Sequence, residues 1–186
     1  MSKLKGKIKY GSWETKYTGI IFDIKQRQVI YPDGSQKTFE HIFRADSVSV
    51  LAFDDKNRLL LTYEHRDDLG KYVHFLPAGR MDKPGESFLR AAKRELREET
   101  GYEAKTWKMV RNGFNVRNIV SKTYCYAAKD LKWNPLGGDE YYPIKLRPVS
   151  LKKAVQMCLE GQIPNEFLAY NILYFNNLVK TGQWKW

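Results

Sequence analysis

The chain has only two cysteines among its 186 residues, Cys125 and Cys158. They show no Cys-x-x-Cys spacing and have no histidine cluster beside them, so the sequence indicates neither a zinc site nor a disulfide framework. We expect both cysteines to be reduced residues of the core.

Long hydrophobic runs are also missing. The longest, 47–53 and 59–62, fall far short of the roughly 20 apolar residues that a membrane helix needs. The first ten residues are basic but lack the apolar stretch and the small-residue cleavage site of a secretory signal. Internal repeats and low-complexity segments are absent as well. The sequence therefore predicts a cytoplasmic globular protein with no membrane partner.

The composition is that of a folded domain with an excess of positive charge. Hydrophobic residues make up 42% and charged residues 28%, and 32 Lys and Arg against 21 Asp and Glu give a net charge of +11. Such a balance favours anionic partners, among which RNA, nucleotides and phosphosugars all qualify. A solvated lysine-rich surface would give the same charge.

Periodicity divides the chain into strands, one helix, more strands and two further helices. Pro32 to Gly34 forms a predicted turn between two strands, because proline presets φ and glycine accepts positive φ. The predicted strands are 17–24, 28–31, 47–53, 58–63, 71–75, 107–111 and 122–128. The predicted helices are 87–100, 151–160 and 165–180. This order predicts an α+β fold or a mixed α/β sandwich.

The first predicted helix carries three glutamates on one face. Glu95 and Glu99 stand one turn apart and Glu98 lies three residues from Glu95. A hard divalent cation such as Mg²⁺ or Mn²⁺ relieves the repulsion among such carboxylates, because it prefers oxygen ligands. An alternative is a solvated helix in which basic neighbours neutralise the glutamates through i,i+3 and i,i+4 pairs. Those neighbours are Arg90, Lys93, Arg94 and Arg97.

The segment from Gly79 to Tyr102 closely resembles the Nudix box, whose pattern is G-x5-E-x7-R-E-U-x-E-E-x-G-U with U aliphatic or aromatic. From Glu86 onward every specified position matches. One departure lies earlier, where six residues instead of five separate Gly79 from Glu86. This extra residue, near Lys83, enlarges the loop between strand and helix and could move Glu86 relative to a metal.

The flanking sequence is similar to the branch of Nudix hydrolases that cleave ADP-ribose and nucleoside diphosphate sugars. The resemblance implies an α/β/α sandwich with a mixed sheet at 45–186, preceded by a small antiparallel β subdomain at 1–44. In that branch the subdomain pairs two subunits, so we expect a homodimer. Aromatic side chains of these strands can also stack on the nucleobase, for which Trp13, Tyr17 and Phe22 are of the right type.

The resemblance further implies metal-dependent hydrolysis of a phosphoanhydride, giving a nucleoside monophosphate and a sugar phosphate. Mg²⁺ or Mn²⁺ would be held by the carbonyl of Ala78 together with Glu95 and Glu99. Glu98 would share a metal or its water ligands and thereby act in catalysis, and Glu86 completes the expected metal set. Arg94 fits an orienting salt-bridge partner better than a catalyst.

Substrate contacts are expected from Arg66, Arg80 and Arg117. Arg117 stands where the ADP-ribose enzymes usually have a proline, which widens the expected substrate to nucleoside diphosphates linked to a second moiety. The branch places a general-base glutamate on a glycine-flanked acidic loop, to which Glu140 corresponds, with Asp139 as the reserve.

Two other functions stay open at this point. One is an RNA 5′-end pyrophosphohydrolase, which only the positive charge favours, since no separate RNA-binding module or basic tail is apparent. A nucleic-acid partner is therefore not expected. The other is a Nudix-fold domain that senses a nucleotide without cleaving it, which the intact set of glutamates argues against.

Overall fold

The computed structural model describes residues 6–81, 83–114, 118–137 and 142–186. Its strands are β1 Lys9–Tyr10, β2 Glu14–Thr18, β3 Phe22–Ile30, β4 Gln36–Arg44, β5 Ser47–Ala52, β6 Arg58–Arg66, β7 Lys71–Phe75, β8 Ala78–Arg80, β9 Tyr102–Phe114, β10 Ile119–Val120, β11 Lys122–Trp133 and β12 Lys145–Ser150. Its helices are α1 Phe88–Thr100, α2 Leu151–Leu159 and α3 Glu166–Lys180. All three predicted helices are confirmed to within a residue at each end.

The chain forms two compact units. Within the described residues, the first unit comprises 6–46 with Phe114 and 118–122, and the second comprises 47–113 with 123–137 and 142–186. The segment around β10 joins the first unit because β10 pairs in parallel with β4, Ile119 opposite Ile42. Its two apolar residues are too few to produce a strand signal in the sequence.

A long antiparallel hairpin of β3 and β4 forms the centre of the first unit. The turn between them is the predicted one: the Gly34 amide donates to the Tyr31 carbonyl, and the Asp33 carboxylate accepts the amide and hydroxyl of Ser35. The single strand predicted at 17–24 is wrong. The chain turns at 19–21, where the Gly19 amide donates to the Phe22 carbonyl, and β2 folds back antiparallel onto β3. The sequence pattern did not indicate this turn, because Ile20 and Ile21 within it are apolar.

The second unit is a sandwich whose layers are set by the alternation of side chains along β5. Val48 and Val50 pack with Ala92 and Leu96 of α1, whereas Leu51 lies in a second cluster. That second cluster includes Ala154 and Met157 of α2 and Leu168, Ile172 and Phe175 of α3. One sheet has the order β8-β5-β11-β9, with β5 and β11 parallel, and an antiparallel sheet has the order β12-β6-β7. The predicted α/β/α sandwich with a mixed sheet is therefore confirmed.

Several strands differ from the prediction in length or were missed. β9 and β11 run well beyond 107–111 and 122–128, because charged and polar residues on their exposed positions interrupt the apolar pattern. β12 was missed for the same reason. β8, which is not among the predicted strands, is a three-residue strand that pairs antiparallel with β5. Among the described residues, no helix is both long and apolar enough to cross a membrane.

Both cysteines are free thiols with restricted access. Cys125 is buried and Cys158 is half-buried. Burial raises the pKa of the Cys125 thiol to about 12, and burial likewise raises the pKa of Cys158 to about 11. Because the thiolate is the reactive form, both side chains are poor nucleophiles near neutral pH.

We expect the native protein to react slowly with a thiol reagent at pH 8. Cys158 should react slowly, and Cys125 only after unfolding in urea, because the thiolate fraction and the access of the reagent are both small. The measurement is the release of thionitrobenzoate from Ellman's reagent, with Cys158→Ser isolating the response of Cys125. Rapid reaction of one thiol per native chain would contradict the buried positions.

Candidate active site

Helix α1 is defined at both ends by capping interactions. At its start the Ser87 hydroxyl accepts the Arg90 amide at 3.3 Å. At its end Gly101 adopts φ +75°, and a Cβ there would lie 2.3 Å from a ring carbon of Trp133, so only glycine fits. Between these caps Ala92 and Leu96 enter the core. The adjoining helix face then presents the glutamates of the box to one side of the sheet.

Arg94 lies at the centre of these carboxylates. Its Nε and Nη2 atoms bind both oxygens of Glu86, at 3.1 and 3.0 Å. Its Nη1 atom donates to Glu95 at 2.6 Å and to Glu98 at 2.9 Å, and Nη2 also donates to the Arg80 carbonyl at 3.2 Å. One guanidinium thus binds three carboxylates, offsets part of their negative charge and contacts strand β8.

These contacts are sheltered from solvent. The Arg94, Glu86 and Glu95 side chains are 12, 10 and 11% exposed, and that of Glu98 is 22% exposed. The hydrogen bonds with Glu86 raise the pKa of Arg94 above its ordinary value, and Glu98 and Glu95 add to the effect while burial opposes it. Arg94 is therefore a permanent positive charge in the site.

Strand β8 lies directly against two of the helical carboxylates. The Ala78 amide donates to Oε2 of Glu99 at 3.1 Å. A Cβ on Gly79 would lie 2.1 Å from the carboxyl carbon of Glu95, so a side chain at position 79 would displace that carboxylate. The box glycine therefore lets the strand and the helical glutamates approach each other.

The longer loop before α1 leaves Glu86 connected to this group of residues. Glu86 makes its two bonds to Arg94 across eight residues of sequence. Lys83, near the extra residue, comes within 3.8 Å of Glu98 but is exposed, so this pair contributes little.

The donor set fits a hard divalent cation. Glu95, Glu98 and Glu99 offer carboxylate oxygens beside the backbone of Ala78, the ligand type that Mg²⁺ and Mn²⁺ prefer. In the part of the chain that the structure describes, however, no three acidic, histidine or cysteine side chains converge on a point that could hold an ion. Glu95 and Glu98 are engaged by Arg94 in this conformation. A metal would have to draw them from those pairs.

The predicted substrate arginines differ in their surroundings. Arg66 is exposed at the end of β6, with Nε 3.2 Å from Asp68 and its guanidinium 5.5 Å from the centre of the Phe75 ring. Arg80 ends β8, where its carbonyl accepts from Arg94 and its side chain is exposed. Arg117, Glu140 and Asp139 lie outside the described residues.

The three aromatic candidates of the first unit have different roles in its packing. Trp13 packs on the Arg27 guanidinium at 4.4 Å and near the His41 and Phe43 rings, whereas Tyr17 and Phe22 are exposed. Arg27 also lies 4.8 Å from the Tyr10 ring. No sequence pattern marks Arg27 and His41, since only the strand register brings them to Trp13. Both line a cavity of about 470 Å³ within this unit.

Replacing Arg94 should leave the repulsion among its three carboxylate partners without a compensating positive charge. We expect Arg94→Gln to lower the free energy of unfolding by about 3 kcal/mol without metal, since it leaves sheltered carboxylates without their cation. Mg²⁺ should restore part of this loss by supplying positive charge. Urea unfolding followed by circular dichroism, with EDTA or with Mg²⁺, measures both effects. Arg90→Gln on the exposed face is the control, and equal losses in the two variants would refute the central role of Arg94.

The comparisons with known proteins agree with this geometry. Residues 43–165 match the family model of the NUDIX domain. An ADP-ribose pyrophosphatase of Mycobacterium tuberculosis (strain ATCC 25618 / H37Rv) is 29% identical, over 87% of this chain and 80% of its own length. A methanol dehydrogenase activator of Bacillus methanolicus is 29% identical over 81% and 82%. An ADP-ribose pyrophosphatase of Bacillus subtilis (strain 168) is 26% identical over 87% and 88%.

A solved structure supports the fold over nearly the whole chain. The crystal structure of an ADP compounds hydrolase superposes with a TM-score of 0.83, covering 97% of this chain and 98% of that one at 22% identity. The family model covers the site built above, from Ala78 to Glu99, and so confirms the predicted family. The chain belongs to the NUDIX domain family and is a Nudix hydrolase.

Proposed function

We propose that this enzyme hydrolyses the pyrophosphate bond of ADP-ribose or a related nucleoside diphosphate sugar, with Mg²⁺ or Mn²⁺ as cofactor. The products are a nucleoside monophosphate and a sugar phosphate. The observation that carries the proposal is that Glu95 and Glu99 pack against Gly79 and Ala78 of β8, while Arg94 binds both Glu95 and Glu98. Two of the relatives named above are ADP-ribose pyrophosphatases, which supports this substrate class.

In this proposal the metal ligands are Glu95, Glu99 and the carbonyl of Ala78, with Glu98 and Glu86 close by. A bound divalent cation would neutralise charge on the diphosphate and lower the pKa of a water ligand. The hydrogen bond from Ala78 holds Glu99 at the strand, while Arg94 holds Glu95 and Glu98 on one side of the helix. Glu99 is thereby held at the strand before the substrate binds, whereas a bound cation would draw Glu95 and Glu98 from Arg94.

Phosphate binding and proton transfer fall to residues outside this group. The exposed guanidiniums of Arg66 and Arg80 suit the oxygens of a diphosphate, for which a planar fork is well shaped. Arg117 is proposed as a third contact. Glu140 is proposed as the general base, with Asp139 as the reserve. Glu98, the most exposed of the carboxylates bound to Arg94, is proposed to share a metal or its water ligands.

The substrate class is tested by a hydrolysis screen. With Mg²⁺ and then Mn²⁺, we expect ADP-ribose or another sugar nucleotide to give nucleoside monophosphate, detected as phosphate after phosphatase treatment. GDP-mannose, UDP-glucose, diadenosine polyphosphates and a triphosphorylated RNA complete the panel. Activity on the RNA alone would favour a 5′-end pyrophosphohydrolase. Nucleotide binding without turnover would favour a sensing domain.

Glu99→Gln provides the matched test of the site. The amide keeps the size of the side chain but loses the charge that a cation needs, so kcat should fall at least about a hundredfold. Glu160→Gln, an exposed change at the end of α2, should leave kcat unchanged. Full activity of Glu99→Gln would show that the Glu99 carboxylate is not needed for the reaction.

The proposal includes a homodimer formed through the N-terminal strands. The tip of the β2–β3 hairpin exposes three apolar side chains, with Ile20 fully exposed, Ile21 at 59% and Phe22 at 40%. An apolar patch of this kind on a folded unit indicates a protein contact. A second copy of the chain is the partner that the family resemblance implies.

Size-exclusion chromatography with light scattering tests this assembly. We expect the wild type to elute with twice the chain mass. Ile20→Glu should weaken the dimer at least about a hundredfold, because a symmetric interface loses the apolar burial twice. Leu159→Glu, at an apolar position of the second unit that is 75% exposed, is the control and should remain dimeric. A monomeric wild type would refute the dimer without affecting the hydrolase.

A cytoplasmic location is also part of the proposal. The two free thiols support it, because a reducing compartment keeps cysteines in this form.

A further inference from the structure

A chain of hydrogen bonds between polar side chains crosses the apolar core of the second unit. Arg111 of β9 donates from Nη1 to Oδ1 of Asn171 on α3 at 3.0 Å. Asn171 in turn donates from Nδ2 to the hydroxyl of Ser49 on β5, also at 3.0 Å. Asn171 is completely buried and Ser49 is 2% exposed. Three elements that are distant in sequence are therefore joined by two hydrogen bonds.

The chemistry of arginine fixes the direction of these bonds. A guanidinium has no acceptor, so the amide must present its oxygen to Arg111 and its NH₂ group to Ser49. The Ser49 hydroxyl then accepts from Asn171 and lies against the Cys125 thiol, whose pKa this contact lowers in opposition to burial. Each of these side chains is thus a donor or an acceptor in a fixed direction, and the network has one arrangement.

Arg111 itself is held by aromatic rings. Its guanidinium lies 5.3 Å from the Phe167 ring, 4.8 Å from Tyr170 and 5.9 Å from Tyr174, all on the face of α3 that carries Asn171. Cation–π contacts of this number restrain the guanidinium and thereby orient the amide.

Packing alone does not require an amide at position 171. Its neighbours along α3, including Leu168, Ile172 and Phe175, belong to the apolar cluster. Replacement of Arg111, Asn171 and Ser49 together by apolar residues of similar size would be nearly neutral for stability, since the desolvation of these groups offsets the bonds that they make. The amide therefore provides something besides stability, namely a fixed distance between α3 and β5.

Ser49 connects the hydrogen bonds of Arg111 and Asn171 to the candidate metal site. In the ladder between β5 and β8, Ser49 is paired with Ala78 and Val48 with Gly79. Ala78 donates its amide to Glu99, and Gly79 lies against the carboxyl group of Glu95. β8 has only three residues, so its position depends strongly on the strand beside it. A shift of Ser49 would move the backbone that carries the proposed carbonyl ligand.

We propose that Asn171 is a positioning residue for the metal site, acting through Ser49 on β8, with Arg111 orienting its amide. This inference rests on the proposed function, because it concerns the ligands named there. Asn171 does not touch the glutamates. Its effect is to set where the Ala78 backbone lies relative to Glu95 and Glu99.

The test compares metal affinity with stability in matched variants. Mn²⁺ binding is measured by the loss of the free-ion electron paramagnetic resonance signal, which needs no turnover, and thermal unfolding is measured in EDTA. We expect Asn171→Leu to weaken Mn²⁺ binding about tenfold, the low end of the effect of losing a direct outer-shell partner, because Asn171 acts on the Ala78 backbone through Ser49. Asn171→Asp should bind nearly as well as the wild type, because its carboxylate accepts from both Arg111 and the Ser49 hydroxyl. Ser49→Ala, a smaller change in case Asn171→Leu does not fold, should also weaken binding.

Ile172→Ala is the control for general loosening of α3. It removes apolar bulk from the next buried position and should lower the unfolding temperature while leaving Mn²⁺ affinity unchanged. Unchanged affinity in both Asn171→Leu and Ser49→Ala would overturn the inference, as would equal weakening in Ile172→Ala. A wild type that binds no Mn²⁺ would instead refute the proposed metal-dependent function, and the inference with it.

Discussion

Repulsion among the carboxylates of α1 is the constraint on which the rest of the site depends. Glu95, Glu98 and Glu99 occupy one side of a single helix, and Glu86 approaches from the preceding loop. Arg94 offsets this repulsion with five hydrogen bonds, four to carboxylates and one to the Arg80 carbonyl. Because its guanidinium donates in a plane, it also fixes where the carboxylates point. The same residue therefore stabilises the helix face and shapes the site.

Of the two interpretations of this helix that the sequence allowed, the structure shows the charge pairing directly and leaves the metal site a prediction. The alternative of a charge-paired helix predicted i,i+4 neutralisation, and Arg94 with Glu98 is such a pair. The metal hypothesis stays a prediction: Glu95 and Glu99 lie against β8, but among the described residues no three acids converge on one point. Helical spacing made Arg94 and the three glutamates predictable. Glu86 was harder to place, since its bonds to Arg94 depend on the path of a loop.

Interactions that depend on strand register could not be predicted. The turn at 19–21 lies inside an apolar run, so hydrophobic pattern alone favoured one strand. Trp13 meets Arg27 only because β2 and β3 pair as they do, and no local spacing signals that contact. Asn171 stands in a pattern of apolar helix positions, and its partner Ser49 is 122 residues away. Local chemistry was predictable, whereas partners across the sheet were not.

Strand β5 links these local and distant constraints. Its side chains alternate, so Val48 and Val50 anchor α1 while Ser49 and Leu51 face the layer of α3. A one-residue slip of β5 would exchange these faces, place a serine against Leu96 and break the bond to Asn171. It would also change the pairing of Ala78 and Gly79 with β5 and so displace the backbone that meets Glu95 and Glu99. The hydrogen bond between Ser49 and Asn171, on the layer opposite α1, therefore forms only in the register that the glutamate site requires.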